Sequence, residues 1–147
     1  AAHFTFGGYA AHAIEVAVSP QGAVSFERVV CAVDVGRPIN PLGIAAQMQG
    51  GTIDGLSTAM NLEISIDGGR VVQSNFNDYP LAAMTQMPRD VEVHVVDSAA
   101  DPAGCGEMGI PTAAPALANA IFAATGVRIR DLPMRGQLAE ALTDRRA

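Results

Sequence analysis

Gly104-Cys105-Gly106-Glu107-Met108-Gly109-Ile110-Pro111 runs into Thr112-Ala-Ala-Pro115-Ala-Leu-Ala-Asn-Ala-Ile-Phe-Ala-Ala-Thr125-Gly126, so one carboxylate stands in a glycine-rich loop just before an apolar helix. Glycines at 104, 106 and 109 remove side chains around Glu107, letting backbone or a bound molecule approach, while Pro111 and Pro115 restrict the loop. A carboxylate held this way is a candidate general base. Motif physics alone favours a plainer account, in which Glu107 interacts with the unpaired amides at the start of the following helix. That helix is expected over Thr112–Thr125, with Pro115 tolerable only in its opening turn and Gly126 as its stop.

Working outward, Ile14, Val16 and Val18 alternate with Glu15, Ala17 and Ser19 before Pro20-Gln-Gly22, and a second run from Val24 to Val33 follows, which reads as a hairpin. Asn40 before Pro41 marks a helix start, with an apolar face at Ile44, Met48 and Leu56 and an end near Met60. Gly50, Gly51 and Gly55 each cost that helix up to about 1 kcal/mol relative to Ala, so something should approach its face closely, a strand being the simplest candidate. Leu62–Ile66 and Arg70–Gln73 flank Asp67-Gly68-Gly69 as a second hairpin. Val91, Val93 and Val95 mark a further strand, and Asn75–Asp90, with Pro80 and Pro88, reads as a long loop. The fold class is α+β: a hairpin-rich mixed sheet with two principal helices. Residues 1–147 are expected to form a single domain, with 134–147 as a surface tail carrying a short helix from Arg135.

The net charge of -6, from 15 acidic and 9 basic residues, argues against nucleic-acid binding. Hydrophobic content is 49%, yet no uninterrupted apolar stretch is long enough to span a bilayer, so no membrane insertion is expected. The two cysteines, Cys31 and Cys105, lie far apart and cannot by themselves hold an iron-sulfur cluster. Cys31, inside Val29-Val-Cys-Ala-Val33, reads as a small buried hydrophobe. Cys105 allows a thiol-nucleophile reading if a histidine base stands beside it. His3, His12 and His94 have no spacing that makes a zinc site.

Cys31-Ala-Val-Asp-Val-Gly-Arg-Pro-Ile-Asn-Pro41, Ala46-Gln-Met-Gln-Gly-Gly51, Gln73-Ser-Asn-Phe-Asn-Asp-Tyr-Pro80 and the Gly106–Pro133 run follow one another in an order that resembles the C-terminal part of molybdenum hydroxylase large subunits. This is the xanthine dehydrogenase and aldehyde oxidase family, in its isoquinoline 1-oxidoreductase beta-subunit type. The resemblance extends from about Gly7 to about Pro133 and implies the C-terminal portion of a molybdopterin-binding domain. It implies a molybdenum pyranopterin, in molybdopterin or cytosine dinucleotide form, with iron-sulfur clusters on a partner chain. Glu107 then matches the base that takes a proton from the molybdenum hydroxide as oxygen is transferred to a heteroaromatic ring carbon or an aldehyde. Gln47 matches a glutamine that hydrogen-bonds the pyranopterin, and Gly106 a backbone contact to the metal ligands. Met108 stands where the family commonly has proline, which should loosen the turn.

The same resemblance implies partners: upstream segments or companion subunits, an iron-sulfur subunit among them. Upstream cofactor-binding segments of the family are missing from these 147 residues, consistent with a short subunit of a split enzyme, a fragment or an inactive relative. The expected location is cytoplasmic, or periplasmic through a partner's export signal. The competing reading is a non-catalytic fragment or orphan interaction domain that binds no cofactor alone, and the third is a Cys105 thiol enzyme.

Overall fold

The computed structural model describes residues 1–144. Its main sheet has the order β1-β2-β3-β6, built from β1 (Ala2–Thr5), β2 (Gly8–Val18), β3 (Val24–Asp34) and β6 (Glu92–Val95). β1, β2 and β3 are antiparallel neighbours, whereas β6 runs parallel to β3, so the sheet is mixed. Parallel pairing requires a crossover. It is supplied by α1 (Pro41–Asn61), the small β4–β5 hairpin (Ile66–Asp67 and Arg70–Val71) and the irregular segment that follows.

The long hairpin forms where alternation predicts it, but β3 holds its apolar residues on one face only by changing register. Val24 and Phe26 occupy even positions, while Val29, Cys31 and Val33 occupy odd ones. Glu15 pairs with Arg28 and Val16 with Phe26, so Glu27 is an extra residue on β3. A bulge of this kind resets the inward parity, and both apolar sets reach the core while Glu27 and Arg28 stay exposed.

Helix α1 begins as the Asn40-Pro41 pair dictates: Asn40 Oδ1 accepts from the Gly43 amide at 3.0 Å, and Pro41 fills a first-turn position that needs no amide. It packs on β6 and β3, and α2 (Ala113–Thr125) packs on β2 and on α1, so both helices cover one sheet face. Gly126 ends α2 with φ 69°, its amide donating to the Phe122 carbonyl at 2.7 Å. Burial of Cys31 in the core pushes its thiol pKa up to about 11, which suits an inert packing residue.

Two expectations need correction. The second hairpin pairs only two residues per strand, Ile66 with Val71 and Asp67 with Arg70. Beyond these pairs the Val72 amide donates to the Ser65 carbonyl at 2.9 Å and the Ser65 amide to Gln73 Oε1 at 2.8 Å. The short helix expected in the tail forms as α3 (Met134–Asp144), but it docks on the core where a surface position was expected, and the last three residues of that tail lie outside the described residues. Met134 and Leu138 are buried in a cluster with Leu56, Leu117 and Ile121. Gly22, in the turn of the long hairpin, lies so close to α3 that a Cβ there would stand 2.9 Å from Ala139 Cα. Met134, Leu138 and Leu142 recur at i, i+4 and i+8 and, with Ala141, dock this segment on the core.

Leu138→Ala should therefore destabilise the protein by about 2 to 5 kcal/mol, as for a core leucine. Urea unfolding reads this directly, and an unchanged midpoint would return α3 to the surface.

Candidate active site

The loop from Gly104 to Thr112 lies across helix α1. Its central turn closes through the Ile110 amide, which donates to the Glu107 carbonyl at 2.9 Å. The side chains on either side of this turn go opposite ways. Met108 is 1% exposed in the core cluster with Val29, Cys31, Val33 and Met48, and Glu107 is exposed. A Cβ on Gly8 would sit 2.9 Å from Met108 Cε, so the thioether fills the space that this glycine leaves. Methionine at this position therefore anchors the loop, where its replacement of proline was expected to loosen it: core burial supplies the restraint that a ring would have supplied.

Glycines explain how loop and helix meet. A Cβ on Gly109 would stand 3.0 Å from the Met48 carbonyl oxygen and from the Thr52 amide nitrogen, and one on Gly51 would stand 3.3 Å from Gly109 Cα. A Cβ on Gly55 would meet Ala113 Cβ at 2.9 Å and the Ile110 carbonyl oxygen at 3.0 Å. Neither a strand nor a cofactor accounts for Gly51 and Gly55: the Glu107 loop itself is what approaches them. Gly50, Gly104 and Gly106 are different. None has a positive φ, and a Cβ on each would meet nothing within 4 Å. Neither local conformation nor packing within the described residues requires them. Gly136 in α3 shares that openness, so it is their grouping around one carboxylate that marks a site.

Gln47, one turn before Gly50 on α1, donates from its Nε2 to the Gly106 carbonyl. The three residues singled out in sequence thus share one exposed patch, Gln47 touching Gly106 and Glu107 following it. Among the described residues no backbone amide from Gly104 to Gly109 donates a hydrogen bond, so the patch presents several donors with no protein partner. A donor-rich, glycine-lined surface suits an anionic, oxygen-bearing cofactor edge. Glu107 itself stands exposed on this chain's own surface. A broad concavity lined by Phe26, Arg28, Met84, Arg89 and Glu92 lies elsewhere, between β3 and the 84–90 segment.

Sequence reasoning gave His12 no role, yet it is the buried polar centre beneath the loop, only 4% exposed. Its Nε2 lies 2.8 Å from Thr52 Oγ1 and its Nδ1 2.6 Å from Thr112 Oγ1. Thr52 spends its single hydroxyl proton on the Met48 carbonyl at 2.7 Å, so its oxygen accepts from His12 Nε2–H. The neutral ring then accepts from the Thr112 hydroxyl at Nδ1. Burial, with a smaller contribution from the Ala1 ammonium, lowers the pKa of His12 from 6.5 to about 4. The place of His12 on the inward-facing positions of β2 was the one signal in sequence. His94 pairs with Glu92 at 2.7 Å, and Cys105 packs beside the core that holds Val35 and Met108. Neither arrangement gives Cys105 the base a thiol enzyme needs.

The chain matches the family profile described as "Molybdopterin cofactor-binding domain" over residues 1–88. It is 41% identical over 120 residues to the beta chain of isoquinoline 1-oxidoreductase from Brevundimonas diminuta, covering 82% of this chain and 15% of that protein. It is 32% identical over 144 residues to one of the subunits of nicotinate dehydrogenase from Pseudomonas putida, covering 95% of this chain and 12% of that protein. The fold matches aldehyde oxidoreductase from Desulfovibrio gigas with a TM-score of 0.79 at 26% identity, over 92% of this chain and 15% of that one. Quinoline 2-oxidoreductase from Pseudomonas putida 86 shares the fold with a TM-score of 0.81 at 20% identity, over 93% of this chain and 19% of that one. The chain spans a small part of each relative's length.

Gly109→Ala should cost roughly 1 to 3 kcal/mol, because backbone on α1 must shift to admit the methyl group, whereas Gly106→Ala should change stability by less than about 0.5 kcal/mol. Thermal unfolding of the two variants compares them, and equal losses would show that the loop does not rest on α1.

The His12 pKa gives a second expectation. The unfolded chain protonates this ring near pH 6.5 and the folded chain only near pH 4, so folding stability falls as pH drops through that window and is constant again below it. After discounting for solvent screening, the loss is on the order of 2 kcal/mol. An NMR titration should find the His12 ring still neutral at about pH 5.5, and a midpoint near 6.5 would mean the ring is open to water.

With the loop geometry, the mixed sheet and these matches together, the chain belongs to the molybdopterin cofactor-binding domain family of molybdenum hydroxylases.

Proposed function

We propose that this chain is the base-bearing lobe of a molybdenum hydroxylase that oxidises a heteroaromatic ring carbon or an aldehyde with water-derived oxygen. The observation that carries the reading is the open patch where Gln47 meets Gly106, with Glu107 beside them and glycines at 50, 104 and 106 that the chain's own packing does not need. The molybdenum pyranopterin, in molybdopterin or cytosine dinucleotide form, supplies the redox chemistry when bound.

Glu107 takes up the proton released as oxygen is transferred to the electron-poor carbon. Its carboxylate is exposed on this chain, so the cofactor and neighbouring segments would complete the site around it. Gln47 uses one of its two Nε2 protons on Gly106, and its Oε1 would be free to accept from an N–H of the pterin. The Gly106 carbonyl is taken by Gln47, leaving the Gly106 amide as the donor towards oxygen ligands of the metal. This division follows from the one hydrogen bond between them.

The chain spans 15% and 12% of the two curated relatives named above, so the rest of the site comes from further segments or subunits. Electrons leave through iron-sulfur clusters on a partner chain. No helix among the described residues is long and apolar enough to cross a membrane, and a cytoplasmic location, or a periplasmic one reached through a partner's export signal, fits the reading. The alternative is a non-catalytic lobe without cofactor of its own.

Glu107→Gln in the assembled enzyme should retain wild-type molybdenum content while turnover falls by about 10² to 10⁴, the range for general-base assistance. Undiminished turnover would remove Glu107 from the reaction, and a complex carrying no molybdenum would favour the non-catalytic lobe.

A further inference from the structure

We propose that His12, clamped between Thr52 and Thr112, is a positioning residue that fixes the 106–113 loop on helix α1 and so sets where the Glu107 carboxylate stands. The inference rests on the reading of Glu107 as the base.

Thr112 provides the first reason. It occupies the N-cap of α2, where a threonine hydroxyl ordinarily accepts from an amide in the first turn, yet it makes no such bond. Its hydroxyl proton goes to His12 Nδ1 at 2.6 Å, which ties the start of α2 to a residue on another element. Thr52 gives the second. It is fully buried in mid-helix, and its hydroxyl donates to Met48 while accepting from His12, so the ring is tied to the Met48–Thr52 turn of α1.

That turn is the surface on which Gly109 rests, three residues before Thr112. The loop is thus held on α1 at both ends and in the middle: Gly106 by Gln47, Gly109 by contact with the 48–52 turn, and Thr112 by His12 through Thr52. Met108 adds an anchor in the core. The His12 connection is a buried, hydrogen-bonded link that also joins strand β2, so it fixes loop, helix and sheet as one unit. Buried, fully satisfied networks of this kind specify one arrangement, and a displacement of about 1 Å at a reacting group can cost up to 10²-fold in rate.

The test uses the assembled, cofactor-loaded enzyme with Thr112→Val, Thr112→Ser and His12→Phe, reading amide hydrogen exchange by mass spectrometry alongside kcat and KM. Thr112→Val and His12→Phe should accelerate exchange in 106–113 while β3 exchanges as in wild type. In both, kcat should fall about tenfold to a hundredfold with KM and molybdenum content unchanged. Thr112→Ser, which keeps the hydroxyl, should restore both readouts, and the Val and Ser pair carries the test if His12→Phe fails to fold. Unchanged loop exchange, or acceleration spread evenly through the whole chain, would overturn the proposal. Local acceleration with undiminished turnover would overturn the positioning role where Glu107→Gln lowers turnover, and where Glu107→Gln does not, it is the reading of Glu107 as the base that fails.

Discussion

The close passage of the Glu107 loop over helix α1 is possible only because three residues carry no side chain. Gly51 and Gly55 open the helix surface and Gly109 opens the loop, and an added Cβ would be crowded at each, from 2.9 Å at Gly55 to 3.3 Å at Gly51. Glycine in a helix costs up to about 1 kcal/mol, and that cost is offset by burying Met108, Ala113 and Leu117 beneath the crossing. The remaining features follow from this contact. Once the loop lies flat, Met108 must point into the core and Glu107 away from it, Gln47 can reach Gly106, and Thr112 arrives above His12.

Polar burial beneath the crossing is resolved without an ionic group. A charged histidine there would carry a large desolvation penalty, and the neutral tautomer satisfies both threonine hydroxyls with one donor and one acceptor. Thr52 and Thr112 are each suited to this because a hydroxyl both donates and accepts; valine would match their shape and strand the ring nitrogens. No buried side-chain nitrogen or oxygen among the described residues lacks a partner. The network is therefore closed, and its strength lies in geometry more than in charge.

Local signals made much of this legible in sequence. Asn40 before Pro41, the Asp67-Gly68 turn and Gly126 all act within a few residues, and the elements they bound lie where those signals place them. The α+β class followed, whereas Gln47 and Gly106 were picked out beside Glu107 through the family resemblance and carry no local signal of their own. What escaped was non-local. Met134 and Leu138 make a weak helical stripe whose burial depends on the core formed by α1 and α2. His12 looked like one histidine among alanines, because its partners lie 40 and 100 residues away. Met108 was misread for the same reason: as a local turn residue it is poorer than proline, and only the gap left by Gly8 shows it to be an anchor.

The surface that remains open fits a chain made to be covered. On the sheet face away from the helices, Ala11 pairs with Ala32 and Ala13 with Val30, small residues that leave the strands nearly bare. At the edge of that face Phe4 and Tyr9 stack with ring centroids 4.7 Å apart while both stay more than half exposed, and Phe6 beside them is 68% exposed. Exposed aromatics next to a flat apolar face are characteristic of surface destined for contact. Glu107 faces open space in the same sense, firmly held from below by its own chain and bare above. Stiff support on one side with the other left open suits the proton-accepting role proposed for Glu107, because the restraint on the loop then comes from this chain's own core.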